Sequence, residues 1–571
     1  MIVETHELQP AHEPMRRSPW STAAVASVVA LTLAIGGVVG AYLVNGRAAG
    51  FGTLASWAPA DAAMYAEVDL SLPGAQRAHV AALLDHWSAL NPDLVLGDEF
   101  ADWVDHLLGS SPGVPFTYSE DLAPWLSGTF AMVLTEWPTM PVAGGPTMAA
   151  VPEGALILGS RDDAAATAFA DELRTLAESG STFTSAEHAG VTVWSLEVDP
   201  STAEFVGNAE FAYAVTDGAV ILATGSDEVG HIIDTGAGTA SMATHPDAAR
   251  LMDALPSERI GLAVMDTRGS MDAVLDTLED RAPALADTLR DYAAGLPPVT
   301  VAALSVEADR VVMTSAAANG EGVMAVKGLS QALAERIPSS SLFYASAADI
   351  GPSMALAVDI FLASVTADEM SGPMFQEMID GFESTTGVAV RDLLNWAGDV
   401  AVYVDWTGNA PVGGMIALTN NPAAAAEQID ALVDALEDLA AGSVSVERVG
   451  AVTRIIGEGA PEVEIAVGDD AVSFTVGDGE AARLAAVDAS SSLAGGDRFT
   501  GAIASVGGSA TDASIWLDLA GIVDNVAKTM APEAGFEASM VLANLEPLDH
   551  VVSATRVEDG IAISRIDFVL R

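Results

Sequence analysis

The sequence predicts an α+β protein: an N-terminal membrane-spanning helix, then two tandem copies of a unit of mainly antiparallel sheet with helices packed on one face. Three observations lead there. A long uncharged apolar stretch lies near the N-terminus, a set of short blocks recurs in the same order along the chain, and apolar periods of two and 3.6 alternate within each copy.

The apolar stretch comes first. Between Arg17 and Arg47 lie 29 uncharged residues, almost all apolar or small from Ala23 to Val44. About 20 such residues cross a bilayer core. Trp20 and Tyr42 fall near the two ends, where amphipathic rings favour the headgroup layer, and Arg16 and Arg17 immediately precede the stretch. The reading is a cytoplasmic tail at 1–18, a single span at 19–45 and an extracytoplasmic remainder. A cleaved secretory signal is the competing reading, but the run exceeds the usual 7–15-residue signal core.

The repeat follows. Leu54-Ala55-Ser56-Trp57-Ala58-Pro59, leading into Met64-Tyr65-Ala66, resembles Leu333-Ala334-Glu335-Arg336-Ile337-Pro338, leading into Phe343-Tyr344-Ala345. Asp121 to Trp125 before TFAMVL matches Asp392 to Trp396 before VAVYVD, and GALILGS matches GGMIALT. FAYAVTDGAVILATG matches VEIAVGDDAVSFTVG, Asp266 matches Asp518, and VEADRVVMTS matches VEDGIAISRI. The offset falls from 279 through 271 to 252, as expected for one unit with extra loop residues in its first copy. The copies are placed at 50–322 and 323–571.

Helices are expected from Ala164, with Ala168, Phe169, Leu173, Leu176 and Ala177 facing the core, and from Ala423, with Ile429, Leu432, Val433, Leu436 and Leu439 doing so. Thr216-Asp217-Gly218 between two apolar runs signals a hairpin. A long helical stretch from near Met271 ends at Pro297-Pro298. Adjacent hairpins favour an antiparallel sheet over a doubly wound parallel one.

Pro59 to Asp69 in the pattern P-A-D-A-x-x-Y-x-x-V-D, the Leu-x-x-Trp before a strand, the Thr-Asp-Gly hairpin and the single N-terminal span together resemble the bacterial DUF3352 family (domain of unknown function 3352) over most of residues 50–571. That resemblance implies a membrane-anchored extracytoplasmic protein and supplies no catalytic residues.

Composition excludes several classes. Lys+Arg number 23 against 79 Asp+Glu, a net charge of −56, with two lysines only, Lys327 and Lys528. Such a field repels phosphate polymers, so no nucleic-acid partner is expected. The absence of cysteine removes disulfides, thiol nucleophiles and Cys-ligated metals. Both lysines lack a serine three residues ahead, which disfavours Ser-x-x-Lys acyl chemistry, and neither His-Glu-x-x-His nor Gly-x-x-x-x-Gly-Lys occurs. Gly507-Gly508-Ser509-Ala510-Thr511 reads as a Ser/Gly loop, not a nucleophile turn, and Gly236-Ala237-Gly238 stops short of a dinucleotide fingerprint.

No catalytic residue and no cofactor are assigned. The weak metal candidates are Asp98, Asp102, Asp105 and His106, which would share one helical face, although a solvated acidic face needs no further cause and is the preferred reading. His79 and His86 read as surface or boundary residues, Trp125 and Trp396 as rings packed at a sheet end, and Asp266 and Asp518 as helix caps. The functional expectation is a non-catalytic envelope module binding a protein or a small molecule. A carrier of an apolar or lipid-like ligand is the alternative, in keeping with a mean hydropathy of +0.35, and a hydrolase of envelope polymers is the third reading. The partners expected are the membrane, through the anchor Arg16, Arg17, Trp20 and Tyr42, and an envelope protein or apolar small molecule.

Overall fold

The computed structural model describes residues 52–69, 78–83, 105, 116–137, 153–177, 182–197, 211–322, 325–366, 372–439, 444–457, 461–529 and 545–571, apart from 81, 280, 281 and 409. The expected span at 19–45, with Arg16, Arg17, Trp20 and Tyr42, lies outside the described residues. Among those described, no helix is long and apolar enough to cross a membrane.

Among the described residues, the period-two runs become twenty strands. The first ten are β1 (Met64–Asp69), β2 (Leu126–Leu134), β3 (Gly154–Ser160), β4 (Thr182–His188), β5 (Val191–Glu197), β6 (Phe211–Thr216), β7 (Ala219–Ala223), β8 (Gly261–Asp266), β9 (Val299–Glu307) and β10 (Arg310–Ala318). The second ten are β11 (Phe343–Ala347), β12 (Val400–Thr407), β13 (Ala410–Leu418), β14 (Val444–Val449), β15 (Val452–Gly457), β16 (Val463–Val467), β17 (Ala471–Val476), β18 (Ala513–Leu517), β19 (Leu548–Glu558) and β20 (Ile561–Leu570).

Every pairing is antiparallel, as the hairpin-rich sequence predicts. The first ten strands run in the spatial order β4-β5-β6-β7-β3-β2-β1-β8-β9-β10. The second ten run β14-β15-β16-β17-β13-β12-β11-β18-β19-β20, the same order ten strands later. β10 pairs with β20, so one 20-stranded sheet is continuous through the molecule.

At that seam Thr314 faces Arg565, 251 residues later. Val306 and Val557, which begin the matched blocks, are also 251 apart. The facing residues thus stand at the same offset as the matched sequence blocks, and the pairs run symmetrically to either side, Arg310 with Val569 and Ala318 with Ile561.

Among the described residues, the helices with defined bounds are α1 (Asp163–Ala177), α2 (Ser226–Gly236), α3 (Pro246–Met252), α4 (Thr267–Glu279), α5 (Pro283–Ala294), α6 (Ile350–Thr366), α7 (Gly372–Thr386), α8 (Pro422–Leu439), α9 (Glu480–Ala485), α10 (Asp497–Ser505) and α11 (Leu519–Thr529). The stretch expected to be one helix from Met271 is two, because Pro283 has no N–H to donate and starts a new helix at its first turn.

The expectation of helices on one face is corrected: they pack on both. Ile221 of β7 packs with Val229 and Ile232 of α2, whereas its neighbours Val220 and Leu222 pack with Ala166 and Phe169 of α1. Likewise Ile416 and Leu418 of β13 join the cluster of α9 and α10, and Ala417 between them joins that of α8. Successive strand side chains point to opposite faces, so apolar residues at consecutive positions require cover on both.

Local chemistry explains matched positions. At Gly154 a Cβ would lie 2.4 Å from the Val133 carbonyl oxygen, and at its counterpart Gly413 it would lie 2.4 Å from that of Tyr403. Gly218 takes φ +83° in the predicted Asp-Gly turn. Asp266 accepts the Gly269 N–H at 2.8 Å and Asp518 accepts the Gly521 N–H at 2.7 Å, the expected caps.

Candidate functional site

The residues singled out from sequence occupy structural positions where they are described. Asp105 accepts the backbone N–H groups of Tyr118 and Ser119 and so anchors the Tyr118–Leu122 turn; Asp98, Asp102 and His106 lie outside the described residues. His79 brings a ring nitrogen within 3.4 Å of the Val306 carbonyl oxygen, and His86 lies outside the described residues. Trp125 and Trp396 are both buried and donate their indole N–H to backbone carbonyls, of Asp121 at 2.8 Å and Leu393 at 3.0 Å. Ser509 belongs to a turn, donating to Asp512 at 2.6 Å. The sequence does hold one Gly-x-Ser-x-Gly pentapeptide that motif reading passed over, Gly109-Ser110-Ser111-Pro112-Gly113; it too lies outside the described residues.

Three polar clusters, each built on a buried carboxylate, escape sequence reading. In the first copy, Glu67 of β1 is 5% exposed, accepts the Tyr65 hydroxyl, and lies under the backbone N–H groups of Gly52 and Leu54. Burial pushes its carboxyl up to about 7 against the lowering pull of those donors. Arg259, itself buried, adds a favourable charge nearby.

In the second copy, Glu480 at the start of α9 accepts the Tyr403 hydroxyl at 2.8 Å and two Arg483 N–H groups at 2.7 and 2.8 Å. Arg483 also reaches Asp405 at 2.7 Å, whose carboxylate accepts the Ser340 hydroxyl at 2.6 Å. Burial, with the Glu480 carboxylate beside it, holds the Tyr403 hydroxyl well above the usual phenol range. The matched carboxylate of the first copy, Glu228, accepts instead from Thr135 at 3.2 Å, and burial raises it.

The third cluster brings Glu462, Glu464 and Asp478 within 4.8 Å of one another. Arg454 stands against it, 3.3 Å from Glu462 and 3.2 Å from Glu464, and Glu464 also accepts the Gly479 and Ala481 N–H groups at 3.3 and 2.8 Å. A guanidinium and a helix N-terminus thus supply the positive charge this cluster calls for. The signal was present in sequence: Glu462 and Glu464, two apart, share one face at the start of β16.

Among the described residues, one site with room for a ligand is apolar. A cavity of about 180 Å³ opens between α6, α8 and the sheet. Met354 and Val358 of α6, Leu394 and Trp396 from the turn between α7 and β12, Ile429 and Leu432 of α8 and Phe474 of β17 line it. At its edge stand Arg391, paired with Asp359 at 2.9 Å, and Gln428, whose amide, turned to donate, meets the carbonyls of Asp392 and Leu393 at 3.2 and 3.1 Å.

The structure corrects the core reading of α8 here. Ile429 and Val433 are buried, but Leu432 and Leu436 are each 40% exposed. In α1 the expected core residue Ala168 is exposed and Ala166 is buried instead. Phe361 of α6 and Met374 and Met378 of α7 are exposed at 59%, 63% and 60%. Exposed large apolar groups beside an apolar hollow mark a binding surface more often than a monomer's ordinary exterior.

No curated protein and no solved structure matches the chain. A family model does match, over residues 87–556, and on that match the chain belongs to the DUF3352 family, described as a protein of unknown function.

Proposed function

We propose that this chain is a non-catalytic binding module of the cell envelope, held by the single span expected at 19–45, with residues beyond Arg47 outside the cell. The observation that carries the binding role is the apolar cavity between α6 and α8 with its exposed apolar margin. Glu480, Arg483, Asp405 and Glu464 are matched to one another, to arginine or to backbone donors, which suits holding elements together.

The two copies, 50–322 and 323–571, are on this reading one unit duplicated. The repeated strand order and the Thr314–Arg565 pairing across the seam support it.

A second reading, carriage of an apolar molecule, is favoured by the same cavity but limited by its size. Apolar cavities of about 150 Å³ stay dry and take a benzene-sized guest. At about 180 Å³ this one suits a single ring or short alkyl tail, and a whole lipid exceeds it. Calorimetric titration of the purified chain with 1-hexanol tests the binding role. A saturable single-site heat that is lost in Leu432→Trp, whose ring closes the mouth, is expected; no saturable heat would overturn it. Protease added to intact spheroplasts tests the topology, and protection of residues beyond Arg47 would reverse the orientation.

A further inference from the structure

The cavity lies where the molecule's apolar and acidic surfaces coincide. α6, the Val390–Asp392 turn, α7 and α8 together contain ten acidic residues and one arginine. On α8 the exposed acids Glu427, Asp430 and Glu437 flank the exposed Leu432 and Leu436. Asp359 is answered by Arg391 and Asp434 by Arg448, which leaves the rest of this rim strongly negative.

The apolar surface is also longer than the hollow. Phe361 follows Met354 by seven residues and so continues the cavity-lining face of α6 about 10 Å further along its axis. Leu436 extends the face of α8 one turn past Leu432. A guest confined to the cavity would leave Phe361 and Leu436 in water.

We propose that this groove docks a cationic amphipathic helix of a partner protein. One large apolar side chain enters the cavity, further apolar residues cover Phe361 and Leu436, and lysines or arginines lie over the acidic rim. This is helix-in-groove recognition, with a buried anchor supplying the affinity and complementary charge the steering. A second copy of the chain is disfavoured as occupant because each carries −56, and an anionic lipid surface is disfavoured for the same reason.

The proposal rests on the binding-module reading above, and the experiment separates the two. A fluorescein-labelled peptide of leucine and lysine, patterned as an amphipathic helix, is titrated with the purified chain and followed by anisotropy. Its scrambled isomer serves as control. Binding at least tenfold tighter for the patterned peptide is expected, with at least a tenfold loss in the double variant Leu432→Glu, Leu436→Glu. That variant is more acidic than the parent, so attraction to bulk charge alone would survive it. Glu427→Lys with Glu437→Lys, which changes exposed side chains only, is expected to weaken the peptide at least tenfold as well. Equal affinity for the scrambled isomer, or undiminished binding by both double variants, overturns the proposal. Hexanol binding without peptide binding overturns the partner class and leaves the binding role standing; absence of both overturns both.

Discussion

Glu67 shows how one side chain records its surroundings. It lies between the Tyr65 hydroxyl and the Gly52 and Leu54 amides, yet burial outweighs those donors and raises it from the usual 4.5 to about 7. A carboxyl that holds its proton more tightly folded than unfolded makes folding favour proton uptake. Its contribution is therefore complete below about pH 4.5 and is lost as pH climbs to about 7, a loss of about 3 kcal/mol at 1.36 kcal/mol per unit. Chemical denaturation across pH 4.5–7.5 is expected to show a shallower fall in stability for Glu67→Gln than for the parent. Self-repulsion among the other carboxylates is common to both proteins and cancels in the difference. Identical slopes would contradict this account of Glu67. The counterpart of β1 in the second copy, β11, carries Ser346 at the matched place, so the effect belongs to one copy only.

At the scale of elements, α8 separates what sequence periodicity can and cannot give. Ile429, Leu432, Val433 and Leu436 fit one helical stripe, and the stripe identifies the helix, but it cannot say how wide a body covers it. In the structure α6 and the sheet cover Ile429 and Val433 and leave Leu432 and Leu436 at the margin. Ile429→Ala is therefore expected to cost about 2–5 kcal/mol, whereas Leu432→Glu, at a side chain only partly covered, costs about 1 kcal/mol, as urea denaturation would measure. The capping aspartates Asp266 and Asp518, the Asp-Gly turn and the paired tryptophans were legible because each depends on neighbours a few residues away. The Glu480–Arg483–Asp405–Tyr403 network was not, since Tyr403 and Glu480 are 77 residues apart and meet only across the fold.

For the whole molecule, the ordered repeat with shrinking offset was the most informative feature of the sequence, and the strand order recurs in step with it. What the repeat could not reveal is the join. β10 meets β20 in a continuous ladder, and the fully buried Asp567 receives Arg310 from one half at 3.2 Å and Arg565 from the other at 2.7 Å. A fully buried carboxylate held by a guanidinium from each half ties the seam together, because a shift of register would leave that charge buried without its partners. The proposed binding surface, by contrast, belongs to the second half of the chain, where α6, α8 and the sheet frame the cavity. The chain has 19 methionines, of which Met354 lines that cavity and Met415 packs against the same cluster. Methyl-labelled methionine spectra recorded during titration with benzene therefore test the central claim most directly. Saturable shifts at Met354 and Met415 with the remaining methyl signals unmoved are the predicted result; shifts spread over the molecule, or none at Met354, would contradict it.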